Sequence, residues 1–142
     1  MKAKLNKLEI KNKKLWFSKY GNLLEIENRL KKKLLALEDQ IDSVKELDSI
    51  DELKSAKAEL ENRITKAHKR NEQYKRDLVD TIQQLKDRRY RDVLTLHFIM
   101  LKSIPQVADE LGYTTRTIFR LCSKALELVE ISTNQCRRNK SS

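Results

Sequence analysis

The chain has 142 residues, of which 39% are hydrophobic and 37% charged, with only two Gly and one Pro. So little turn chemistry argues against a sheet, and the remainder favours helix, so the expected fold class is all-α. A formal charge of +10 points to a polyanionic partner, nucleic acid or an anionic membrane surface, while no run approaches the ~20 apolar residues that span a bilayer.

The charge comes in blocks. Residues 1–33 carry eleven Lys/Arg against three Asp/Glu, residues 34–62 three against nine, residues 63–92 ten against five, and residues 93–142 seven against four. Such alternation suits a helical hairpin whose acidic bend lies away from a polyanion, and it suits solvated helix faces equally. No apolar signal core follows the basic N-terminus, so a cytoplasmic protein is expected. Cys122 and Cys136 form no CxxC pair and have no His nearby, which argues for reduced thiols rather than a zinc site or disulfide. His68 and His97 are solitary and read as surface or partly buried imidazoles.

Taken in order, Leu5, Leu8 and Leu15 with Trp16 recur at helical spacing, and Gly21-Asn22 is the expected break, giving a first helix over most of residues 3–20. Trp16, Phe17 and Tyr20 gather just before that break, either to anchor a partner or to pack the first helix onto a helical hairpin. Leu23, Leu30, Leu34, Leu37, Ile41 and Val44 form a coiled-coil seam. A second seam runs through Ile50, Leu53, Leu60, Ile64, Ala67, Tyr74, Leu78 and Leu85, with Lys57 and Asn71 at polar positions. The register slips by two residues between the seams, and Ser49 with Glu52 makes a capping-box pattern, so a bend is predicted near 47–49. Residues 1–86 are thus expected to form an N-terminal antiparallel helical hairpin, a coiled coil; a parallel dimer with a stutter is the alternative.

From Tyr90 the pattern changes. Val93, Leu94, Leu96, Phe98, Ile99 and Leu101 are apolar on more than one face, as in a helix inside a compact domain. Ser103 and Gln106 make a second capping box with Pro105 in the first turn, and Gly112 suits a left-handed cap ending a helix of Ile104 to Leu111. Thr114 can cap a further helix from Thr115 to about Ile131, and this spacing is that of a helix-turn-helix, predicted within residues 87–131. Val107, Ala108 and Leu111 face inward from the first helix, and Ile118, Leu121 and Ala125 from the second. Thr115, Arg116, Phe119 and Arg120 are left to face a major groove as base readers. Thr114, Lys124, Arg88, Arg89 and Arg91 are the candidate phosphate contacts. Phe119 also shares a stripe with Cys122, Leu126 and Val129, which offers a homodimer seam instead. Residues 132–142, with Arg137, Arg138 and Lys140, read as a flexible basic tail.

The segment YRDVLTLHFIMLKSIPQVADELGYTTRTIFRLCSKALELV, Tyr90 to Val129, resembles the fourth conserved region of bacterial sigma factors. It shares the leading VLxLxF helix, the QVAxELGYT turn and the RxIxR and KAL spacing. With helices in front, the chain is similar to phage-encoded regulators of the ArpU and RinA type. The resemblance implies promoter-proximal double-stranded DNA and bacterial RNA polymerase as partners, in the cytoplasm of the host cell. It also implies activation of late genes as the function, with Thr115, Arg116, Phe119 and Arg120 at base-contacting positions and Lys124 at the KAL lysine. Phe119 stands where that family usually has a polar residue, and nothing in residues 1–89 resembles the polymerase-gripping or −10-binding segments of a full sigma factor. A small terminase subunit, which also joins a helix-turn-helix to oligomerising helices, and a polymerase-binding mimic that leaves DNA alone are the rival functions. No Gly-rich phosphate loop, metal-ligand cluster or paired nucleophile and base occurs, so neither catalysis nor a cofactor is expected.

Overall fold

The computed structural model describes residues 7–44 and 47–130, and every regular element in them is helical. α1 spans Lys7–Ser43, α2 Leu47–Gln83, α3 Arg88–Leu94, α4 Ile104–Leu111 and α5 Thr115–Leu128. A π-helical turn, Thr95–Ile99, continues α3. Leu5, Cys136 and the basic tail with Arg137, Arg138 and Lys140 lie outside the described residues.

α1 corrects the expected break at Gly21-Asn22, because the helix runs through both residues. A Gly inside a helix costs only about 1 kcal/mol relative to Ala, too little to stop a helix that buries side chains on either side of it. Its smallness has a local use, since a Cβ at position 21 would stand 3.2 Å from Leu101 Cδ2. The second correction concerns the bend. α2 begins at Leu47, so Ser49 falls inside its first turn rather than at its cap, and the bend predicted near 47–49 falls within a helix.

The described residues divide into two compact units. Asn22–Gln73 forms one of them. Here α1 and α2 touch in opposite senses: Leu23 meets Asn71, Glu27 meets His68, and Glu38 meets Lys57. Leu23, Leu30 and Ala67 are shielded, whereas Leu34, Leu37, Leu53 and Leu60 are half-buried. Asn71 is 1% exposed and Glu27 3%, so a carboxylate and an amide sit inside the seam. Asn71 Nδ2 donates to the Leu23 carbonyl at 3.1 Å and to Glu27 Oε1 at 2.9 Å. Glu27 Oε2 lies 2.9 Å from Lys31 Nζ and 3.2 Å from His68 Nδ1. Burial alone would push the Glu27 carboxyl up, but the hydrogen bonds from Lys31, Asn71 and His68 outweigh it and hold its pKa below the ordinary value.

The other unit takes the chain up to Gly21 and resumes at Tyr74. Its aromatic centre joins distant segments. Phe17 and Phe98 rings stand 5.2 Å apart, Trp16 and Tyr74 5.8 Å, and the Tyr74 hydroxyl donates to the Trp16 carbonyl at 2.6 Å. Trp16, Phe17 and Tyr20 are therefore core residues, with Phe17 fully shielded; they pack as the sequence allowed, but inside this unit, against Phe98 and Tyr74, and not as the link between a separate first helix and a hairpin. Leu78, Ile82, Val93, Leu94, Val107 and Ile118 complete the interior. The π-helical turn closes with the Met100 amide on the Thr95 carbonyl at 2.9 Å and leaves Leu101 at φ 60°, a left-handed value costing an L-residue about 1–2 kcal/mol. His97 is half-buried, its Nδ1 donating to the Lys102 carbonyl at 2.8 Å.

Candidate nucleic-acid interface

The turn between α4 and α5 is built from local hydrogen bonds. Ser103 and Gln106 cap α4 reciprocally: the Gln106 amide donates to Ser103 Oγ at 3.3 Å and the Ser103 amide to Gln106 Oε1 at 2.9 Å. Pro105 sits in the first turn, where its missing amide hydrogen costs nothing. Gly112, at φ 75°, ends the helix in the left-handed cap expected of it, and the Tyr113 amide closes on the Ala108 carbonyl at 2.9 Å. Thr114 then caps α5, its hydroxyl accepting from the Thr117 amide at 3.2 Å. That hydroxyl is also 2.9 Å from Thr117 Oγ1.

α5 is sharply two-sided. Ile118, Cys122, Ala125 and Leu126 are buried, Leu121 is half-buried, and α5 packs against both α3 and α4. Thr115, Arg116, Phe119, Arg120 and Lys124 are all exposed, Phe119 at 60%. Their spacing puts Thr115, Arg116, Phe119 and Arg120 on one outward face over the first two turns. Lys124 is one turn further, 3.8 Å from Glu127 Oε2. The suggested homodimer seam is corrected at the same time. Of its four residues only Phe119 is exposed, because Cys122, Leu126 and Val129 are covered by the chain's own core. Burial pushes the Cys122 thiol up to about 11, which leaves it protonated and unreactive at neutral pH.

The arginines at the start of α3 differ from one another. Arg88 is exposed and only 3.6 Å from Asp92. Arg89 grips Asp87, the α3 cap, with Nη2 at 2.9 Å from Oδ2 and Nε at 3.3 Å from Oδ1. Its side-chain and then its backbone hydrogen bond hold the Asp87 carboxyl below its ordinary value. Arg91 is half-buried and donates from Nη1 to the Leu85 carbonyl at 3.0 Å, in the link between α2 and α3. Arg88 is thus the freest of the three for a phosphate.

Lys13, which sequence reasoning passed over, and Phe17, which it marked only as one of an aromatic cluster, hold this surface in place. Lys13 Nζ donates to the Glu127 and Val129 carbonyls at 3.2 and 2.6 Å, satisfying the last turn of α5 from α1. Burial lowers the Lys13 pKa against the opposing pull of Glu9, Glu130 and Glu127. Phe17 supports the same unit through Phe98. The aromatic cluster at residues 16–20 was the available signal for this; nothing local marks Lys13.

Residues 43–130 match the protein family described as a protein of unknown function, DUF1492. The chain belongs to that family. The match takes in the whole of α2 and everything through α5, so the family is defined over the candidate surface and much of its support. No curated protein and no solved structure matches the chain. Among the described residues no cluster of His, Cys, Asp and Glu is arranged to hold a metal ion, and no helix is long and apolar enough to cross a membrane.

Proposed function

We propose that this DUF1492 protein is a sequence-specific DNA-binding transcription regulator, an activator of phage or prophage late genes, in which α4, the Gly112 turn and α5 act as a helix-turn-helix. The antiparallel segments of α1 and α2 are its helical hairpin. The observation that carries the reading is the face of α5. A capped helix presents Thr115, Arg116, Phe119 and Arg120 to solvent over its first two turns, while its opposite side is sealed against α3 and α4. Arg can take guanine O6 and N7 bidentately, and a Thr methyl or Phe edge can lie against a thymine methyl, each good pair discriminating by about 1–3 kcal/mol. Lys124 and Arg88 would grip phosphates, and the sigma-like segment would meet RNA polymerase through the surface a sigma fourth region uses.

The test is selection of bound fragments from the source genome followed by footprinting. A discrete site beside a promoter is the expected result, and recovery of random fragments would sink the proposal. On a selected site, Arg116→Ala or Arg120→Ala should cost about 1–3 kcal/mol while nonspecific binding stays nearly intact. Equal losses on all sequences would reassign both residues to phosphate. The exposed Phe119 favours one second reading, a polymerase-binding protein that leaves DNA alone; polymerase binding without a footprint would select it.

A further inference from the structure

The paired segments of α1 and α2 in the Asn22–Gln73 unit have two unlike flanks. Residues that follow seam positions, Lys31, Glu38 and His68, lie on the flank that carries the close polar contacts: Lys31 and His68 with Glu27, and Glu38 with Lys57. Residues that precede seam positions lie on the other. There Lys33 comes from α1 and Arg63 and Arg70 from α2, with Arg29 and Lys66 one step further out. All five are exposed. The register set by Leu23 with Asn71 and Glu38 with Lys57 brings Lys33 level with Arg63 and Arg29 level with Lys66.

A coiled coil held for stability alone places opposite charges across such a flank, since like charges there repel. Here cation faces cation. Among the described residues, Lys33, Arg63, Lys66 and Arg70 have no carboxylate within ion-pairing distance, and Arg29 has only Glu25, 3.6 Å away on its own helix. Glu52 and Glu59 are the acidic residues of the flank, and both lie on the acidic side of the unit, away from Arg70. A repulsive stripe kept on one flank, beside a paired one, is the signature of a surface whose counter-charge comes from another molecule.

We infer that Arg29, Lys33, Arg63, Lys66 and Arg70 form a second polyanion-binding surface, separate from α5, that takes the phosphate backbone of double-stranded DNA without reading its sequence. The choice of DNA as the polyanion rests on the function proposed above. A bilayer is the less suited anion, because an interfacial helix lays an apolar face beside its cations. The apolar seam of these helices is used up between them, and Ile26 is the one large aliphatic side chain along the stripe.

The experiment uses the full chain and compares R63Q/K66Q/R70Q with a control triple, K11Q/K14Q/K54Q, that removes as much charge elsewhere. Glutamine keeps helix propensity, and a matching thermal melt shows that both fold. Binding to a random duplex and to a genome-selected site is measured against salt. The expected result is a salt slope smaller by about 2–3 and an affinity roughly 10- to 200-fold lower near 0.15 M salt on both duplexes, at about 0.9 of slope per lost phosphate contact. The control should move far less, and the preference for the selected site should stay. Equal behaviour of the two triples overturns the inference, as does a loss confined to anionic phosphatidylserine vesicles. If the wild type shows no sequence preference while the slope still falls, the surface stands and the α5 reading fails; if Arg116→Ala abolishes preference while the slope is unmoved, the reverse holds. A wild type that binds no duplex removes both.

Discussion

Asn71 and Glu27 show how much one buried pair can weigh. The amide supplies two donors, to a carbonyl and to a carboxylate that the seam has withdrawn from water. Asn71→Ala should therefore cost about 1–3 kcal/mol in a urea titration, since Glu27 keeps its burial and loses a partner. A loss below a few tenths would mean the network is not coupled. The depressed Glu27 pKa adds a pH signature. A carboxyl whose folded pKa lies below its unfolded value contributes stability that is complete above the ordinary value of 4.5 and fades as pH falls through the folded one. Wild type is thus expected to lose more unfolding free energy than Glu27→Gln between roughly pH 5 and pH 3. Equal acid sensitivity would remove Glu27 from the account. The sequence marks Asn71 as a polar seam position, but Glu27 hides as a gap in the leucine spacing, because only the opposing helix makes its burial tolerable.

At the scale of elements, the two glycines carry opposite predictions. Gly112 ends α4 at positive φ with open space around it, so Gly112→Ala should destabilise by about 1 kcal/mol through backbone strain alone. Gly21 lies inside α1, where Ala is the better helix former by about 1 kcal/mol. The neighbour it would press is the rotatable end of a half-exposed Leu101, so Gly21→Ala should stabilise by up to about 1 kcal/mol. Denaturation midpoints moving in the same direction would refute one assignment. These cases also mark what a sequence discloses. Ser103, Gln106, Gly112 and Thr114 act on neighbours within a few residues, so α4, its turn and the start of α5 could be placed from the chain alone. The role of Gly21 depends on Leu101, eighty residues away, and read locally it looked like a helix break. Arg91 likewise looked free for phosphate until the Leu85 carbonyl came within its reach.

For the molecule as a whole, the unit that bears the α5 surface is completed by residues from the beginning of the chain. Phe17→Ala should cost about 3–5 kcal/mol in global stability, although the residue lies about a hundred positions from α5. A fragment starting at residue 87 keeps every proposed base contact, yet it should be largely unfolded by circular dichroism. A cooperatively folded fragment would show that the N-terminal aromatics are dispensable. The Lys13 bonds to Glu127 and Val129 close long loops, spanning 114 and 116 residues. Contacts that distant are slow to form, because a long stretch of chain must be closed before they give any return. During synthesis, residues 13–20 leave the ribosome early with Trp16, Phe17 and Tyr20 uncovered, and the backbone they serve does not yet exist. The surface proposed to read DNA can therefore reach its final form only once the chain is made through Val129, so a truncated product would lack it.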